Sequence, residues 1–150
     1  MSKERGQGMS LIVKTTTRLT VGLILLYGIY IVLHGHLSPG GGFAGGVIVA
    51  LCFINLVLAF GKDVGLRKLS ESRQAFLESI GAILFLAVAL LGVAGGSFFF
   101  HNFLPKGKAF ALFSAGIIPV CNIAICLKVA AGLSAIFIAL VLLQVESEKK

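Results

Sequence analysis

The sequence predicts an all-α fold: a polytopic membrane protein with four transmembrane helices, forming one membrane domain over residues 1–150. Three observations lead there. Hydrophobic residues make up 57% of the chain and charged residues 13%, with a mean hydropathy of +1.01, far from the composition of water-soluble domains. A globule of 150 residues has too much surface to hide that much apolar side chain from water. Four stretches bounded by polar residues come close to the roughly 20 apolar residues that a bilayer asks of a helix. Lys and Arg, finally, gather at alternate ends of those stretches, as a positive-inside topology requires.

Span one runs from about Leu19 to His34, and Lys14 and Arg18 extend it by snorkelling to the interface. A secretory signal peptide is the rival reading of this basic start and apolar core, but no small-residue cleavage pattern follows before span two. Span two covers Phe43 to Phe60, span three about Phe76 to Phe100, and span four Pro119 to about Val145. Lys3, Arg5, Lys14 and Arg18 precede span one; Lys62, Arg67, Lys68 and Arg73 lie between spans two and three; Lys149 and Lys150 close the chain. Lys106 and Lys108 face the other way. Both termini are therefore expected in the cytoplasm, in a multi-pass protein of the cell membrane. The net charge of +7 is thereby a topology signal, and no nucleic-acid partner is needed to explain it.

Nineteen dispersed glycines rule out collagen-like and low-complexity chains. Cys52, Cys121 and Cys126 fall inside apolar runs without metal-ligand spacing, so neither a disulfide framework nor a zinc site is indicated. His34, His36 and His101 could approach one surface, yet no local ligand spacing makes them a metal site.

The turn after span one, from His34 to Gly46, carries no charge and holds Pro39-Gly40-Gly41-Gly42-Phe43. Consecutive glycines open backbone conformations closed to other residues and leave bare amides and carbonyls. One reading is a tight turn between antiparallel spans; the other is a loop lining a cavity, where non-helical backbone at membrane depth is tolerated. A P-loop is not supported, because its Lys-Ser/Thr ending is missing. On span one, Thr20, Tyr27, Tyr30 and His34 share a helical face that should meet protein or water.

Lys128 stands about nine residues inside span four, where a charge is costly and by default functional. Snorkelling is the bland alternative. Glu78, near the cytoplasmic start of span three, is expected at a different depth, so Lys128 is expected either to be uncharged or to be balanced by a carboxylate on another subunit, the second being favoured. Glu78 itself either complements its helix dipole or carries a proton. Asn55 and Asn122 add groups of the kind that join membrane helices, and Gly42, Gly46 and Ala50, Gly92 and Gly96, and Ala131 and Ala135 show small-xxx-small spacing.

These residues resemble the B-type subunits of the Mrp-type multisubunit sodium/proton antiporters, including the forms built into archaeal membrane-bound hydrogenases and their sulfur-reducing relatives. His34-Gly35-His36-Leu37-Ser38-Pro39-Gly40-Gly41-Gly42-Phe43 is similar to the family signature GHxxPGGGF, and Thr15-Thr16-Thr17-Arg18 to the approach before it. Ser97-Phe98-Phe99, Asn102-Phe103-Leu104-Pro105 and Ala115-Gly116-Ile117-Ile118-Pro119 extend the likeness over nearly the whole chain. Span four reads Asn122-Ile123-Ala124-Ile125 where many bacterial members read Asp-Ile-Gly-Val, and Lys128 is similar to the archaeal, hydrogenase-associated branch.

The resemblance implies a small subunit without a cofactor, inactive alone, that works beside other small and large antiporter subunits and helps shape a sodium passage while protons move in exchange. It points to His34, Pro39, Gly40, Gly41, Gly42 and Phe43 as the part carrying that role, with His36, Asn55, Glu78, Asn122 and Lys128 as further candidates on the ion path or a subunit interface. A structural subunit without ion contact is the alternative. A membrane enzyme fares worst, since no nucleophile with a base, carboxylate pair or metal cluster is legible.

Overall fold

The computed structural model describes residues 9–61, 70–94, 98–108, 110–112 and 114–147. Of the residues singled out above, Lys3, Arg5, Lys62, Arg67, Lys68, Gly96, Ser97, Lys149 and Lys150 lie outside the described residues. Four long helices follow one another: α1 (Leu11–Leu33), α2 (Gly41–Phe60), α3 (Glu71–Ala94) and α4 (Ile118–Ser147). Each is long and apolar enough to cross a membrane.

Their ends differ from the apolar runs for local reasons. α1 starts at Leu11 rather than near Leu19, because its threonines satisfy themselves within the helix. Thr15, Thr16 and Thr20 donate their hydroxyls to the carbonyls of Leu11, Ile12 and Thr16 at 3.0, 3.0 and 2.8 Å. α3 starts at Glu71, where the Ser70 carbonyl accepts the amides of Arg73 and Gln74, and it stops at Ala94. The aromatic run after it doubles back: the Phe100 amide donates to the Ala89 carbonyl at 3.4 Å, and the Phe100 ring meets Phe85 with centroids 5.1 Å apart. Pro119 sits in the first turn of α4, where its missing N–H costs nothing.

α1 and α2 form an antiparallel hairpin. The Met9 amide donates to the Ala59 carbonyl at 3.0 Å, and the Arg18 guanidinium stands 5.2 Å from the centre of the Phe60 ring. α4 lies along the other side of α2 and runs parallel to it, with Gly42 opposite Asn122 and Gly46 opposite Cys126 and Val129. α3 packs on α4 from the far side, in the opposite direction.

Neighbours in space therefore run α1, α2, α4, α3, and α1 touches α4 only lightly. Among the described residues α3 has no packing interface with α1 or α2. The helices form an open row one helix thick rather than a closed bundle. Only 33% of the apolar stretch of α2, and 11% of that of α1, is buried within the chain. The buried positions are mostly small, among them Ala50, Cys52, Ala59, Ala89, Ala124, Ala131 and Ser134. That is how membrane helices associate, since lipid gives no hydrophobic reason to pair and close backbone approach must supply the contact.

Candidate functional site

Two features stand out, on different sides of α4. The first is the glycine-rich turn. After α1 the His34 carbonyl accepts the amides of Leu37 and Ser38 at 2.8 and 2.9 Å and the Ser38 hydroxyl at 3.1 Å. Gly40 and Gly41 then take φ of 147° and 72°, a region that side chains disfavour, and so bring the chain sharply into α2. The Gly42 amide, one of the orphan donors of that first turn, finds its acceptor on another helix: it donates to Oδ1 of Asn122 at 3.3 Å. Asn122 is buried and acts as a cap supplied in trans.

The glycines make this approach possible. A Cβ on Gly42 would collide with the Asn122 carbonyl, and one on Gly35 would stand 2.6 Å from Asn122 Nδ2. His36 fastens the turn from the other side, its Nε2 lying 3.2 Å from the Ala111 carbonyl oxygen in the α3–α4 loop. Asn122 Nδ2 and His36 Nδ1 remain buried without a hydrogen-bond partner. Pro39, Gly40 and Phe43 face outward. Of the signature residues, Gly41 and Gly42 thus serve packing, while Pro39, Gly40 and Phe43 are open to a neighbour. Asn122→Ala is expected to lower stability by about 1 kcal/mol through loss of the trans cap. Asn122→Asp, which keeps the acceptor beside a helix N-terminus, should stay near the parent; the thermal unfolding midpoint of the detergent-solubilised assembly checks both.

The second feature is a groove of about 350 Å³ between α3 and α4, formed by Gly81, Ala82 and Phe85 on one side and Ala124, Ile125, Lys128 and Val129 on the other. Gly81 brings the helices together: a Cβ there would stand 2.7 Å from the Ala124 carbonyl oxygen and 2.9 Å from the Lys128 amide nitrogen. Lys128 lies six residues beyond Asn122, about 9 Å further along α4 and about 120° around it. Its side chain is exposed on the face of the row.

Glu78 is three residues before Gly81, so it lies only about 4.5 Å along α3 from the level of Lys128. The expected difference in depth is thus much smaller than the apolar runs suggest. The two still make no ion pair. A helical side chain leans towards its own N-terminus, which carries the Lys128 amine away from Glu78.

The other candidates are not brought together. Asn55 is half-buried in α2 and makes no side-chain hydrogen bond among the described residues. The polar stripe of α1 turns away from the other helices: Tyr27 and Tyr30 are exposed, with stacked rings 6.4 Å apart, and His34 stacks on Tyr30 at 4.1 Å. Among the described residues no three His, Cys, Asp or Glu side chains gather as a metal cluster would.

Sequence reasoning passed over Gly81, although a mid-helix glycine, which costs about 1 kcal/mol relative to alanine, signals a close approach. It also gave no role to Asn102, whose Oδ1 accepts the amides of Leu104 and Ile117 at 3.3 and 3.2 Å and ties the long loop to the start of α4.

The family model described as a domain related to the MnhB subunit of Na+/H+ antiporter matches residues 12–135. The chain belongs to this family. It is 43% identical over 122 residues to an uncharacterized protein of Methanocaldococcus jannaschii, a match covering 75% of this chain and 45% of that one. The chain therefore spans less than half the length of that relative. A Staphylococcus haemolyticus protein named as antiporter subunit mnhB2 is 34% identical over 102 residues, covering 68% of this chain and 69% of its own. In three dimensions the MnhB-related chain is similar to a chain of the membrane-bound sulfane sulfur reductase, an archaeal respiratory membrane complex. That match has a TM-score of 0.73 and 31% identity, and covers 91% of this chain and 61% of the other. The expected family and the expected fold of four apolar helices both hold. The glycine-rich signature, Asn122 and Lys128 all fall within the matched region.

Proposed function

We propose that the chain is a non-catalytic membrane subunit of a multisubunit cation/proton antiporter module, where it lines part of a sodium passage and holds neighbouring subunits in place. The family match over residues 12–135 carries this reading. The likeness to a chain of a respiratory membrane complex supports a larger assembly as its setting, whether an antiporter alone or one joined to a hydrogenase or a sulfur reductase. The open row adds a physical reason: among the described residues its broad faces are uncovered. The distribution of Lys and Arg supports a place in the cell membrane with both termini cytoplasmic.

The passage is assigned to the outward side of the signature, where the carbonyls beside Pro39 and Gly40 could replace part of the hydration shell of sodium. Phe43, 65% exposed at the same place, gives an apolar edge to that path. A second reading, a subunit that only holds others together, is favoured by the engagement of Gly42 with Asn122.

Phe43→Ala separates the two, because this ring contributes little to packing within the chain. With subunit composition unchanged, sodium-dependent proton exchange in vesicles carrying the whole complex is expected to fall by about tenfold. Unchanged exchange in an intact complex would remove the sodium passage from this turn and leave the structural reading.

A further inference from the structure

We infer that the groove between α3 and α4 is the seat of a transmembrane helix from a different subunit, one that places a single Asp or Glu carboxylate against the Lys128 ammonium. The inference rests on the reading of the chain as one subunit of a membrane assembly, and it names the chemistry of the partner. Lys128 lies ten residues, about 15 Å, beyond Ile118, and only three residues before Ala131, the middle of the apolar stretch Ile118–Gln144. A charge at that depth is retained where something compensates it.

Among the described residues nothing does. The rest of the groove wall is apolar, and Glu78 is the only carboxylate within the apolar stretches Ser72–Ala94 and Ile118–Gln144 of the two helices that form it. It lies one turn to the wrong side: the groove extends from Lys128 along Ala124 and Ile125 and along Ala82 and Phe85, away from Glu78. The position also argues against other occupants. Lipid headgroups stay at the interface, beyond the reach of a lysine at mid-depth, and acyl chains carry no charge. Water filling roughly 350 Å³ would need two to four polar partners per molecule, and one amine on an apolar wall does not supply them. A helix suits the shape: Gly81 and Ala124 are buried against each other and draw the two backbones together, and half-buried Ala82 beside them is small enough for a third backbone to approach.

The test uses the whole complex, captured through a tag on this chain. A lipid-soluble carbodiimide, which condenses a carboxyl and a neighbouring amine into an amide, is added to the membranes, and the linked peptides are mapped. The expected link joins Lys128 to an Asp or Glu of another subunit. Lys128→Arg should retain the neighbouring subunits within about twofold. Lys128→Met should lower their recovery by about thirtyfold or more, because it leaves the partner carboxylate buried and unpaired. Lys128→Glu should be worse still, and a lysine introduced at the mapped acid should restore it.

Lys128→Met is more apolar than the parent, so the amount of this chain in the membrane should hold and rule out simple misfolding. A link to Glu78 of a second copy would overturn the inference, and so would full recovery of neighbours with Lys128→Met. If that variant assembles fully but transports poorly, the docking seat fails while the ion-passage reading survives. If it assembles poorly and each remaining complex transports normally, the docking seat stands and Lys128 has no part in ion movement.

Discussion

Gly42→Val is expected to remove nearly all of the chain from its membrane. The new Cβ would point into the backbone of Asn122, where the carbonyl and a Cα 2.9 Å away leave no room. A backbone has no alternative rotamer, so α2 and α4 must part along their upper contact. Overpacking of this kind costs about 3 kcal/mol or more, which against a marginal stability turns a folded majority into a minority. The trans cap is lost in the same event, since Asn122 Oδ1 no longer reaches the Gly42 amide. Gly22→Ala is the internal control: nothing lies within 4 Å of a Cβ at that position, and alanine favours the helix. Immunoblotting of membrane fractions should show less than about a tenth of the parental amount for the valine variant and no loss for the control. Equal amounts of the two would mean that the turn does not hold α2 to α4.

The second large effect is expected at Gly81. Helix propensity alone predicts that Gly81→Ala gains about 1 kcal/mol, as an interior glycine replaced by alanine should. The geometry predicts the reverse sign. Even a methyl group would stand 2.7 Å from the Ala124 carbonyl oxygen and 2.9 Å from the Lys128 amide nitrogen, both of them main-chain atoms. Alanine should therefore destabilise by about 1–2 kcal/mol, and leucine should push α3 off the row, because α4 is its one packed helix among the described residues. Limited proteolysis of the 98–117 loop, measured as cleavage rate in intact vesicles, should rise from parent to alanine to leucine. A neutral or stabilising alanine variant would show that the two helices are not in contact at this level.

Both effects arise at glycines, yet the sequence announced them unequally. The His34 to Gly42 turn is legible because its residues are contiguous and chargeless. Its partner is not, since the bond from Gly42 to Asn122 joins residues 80 positions apart and no local pattern marks one asparagine of an apolar helix as a cap for another. Four spans are readable from hydropathy, but their ends are not. Threonines that satisfy their own hydroxyls extend α1, and an aromatic run that folds back shortens α3 at its far end. Because α3 begins at Glu71, before the apolar run does, Glu78 lies within a turn of the level of Lys128. Apolar runs locate lipid; helix ends are located by hydrogen bonds.

The order α1, α2, α4, α3 has a further consequence. A wall one helix thick is a partition and not a container. It can divide the membrane plane or form one bank of a channel, but among the described residues it surrounds no lumen, so on the proposed function an ion would move along its surface, with another protein as the second bank. Conductance and selectivity are then properties of a seam. Liposomes holding this chain alone should be electrically silent, and a defect in one bank should be open to compensation from the opposite one.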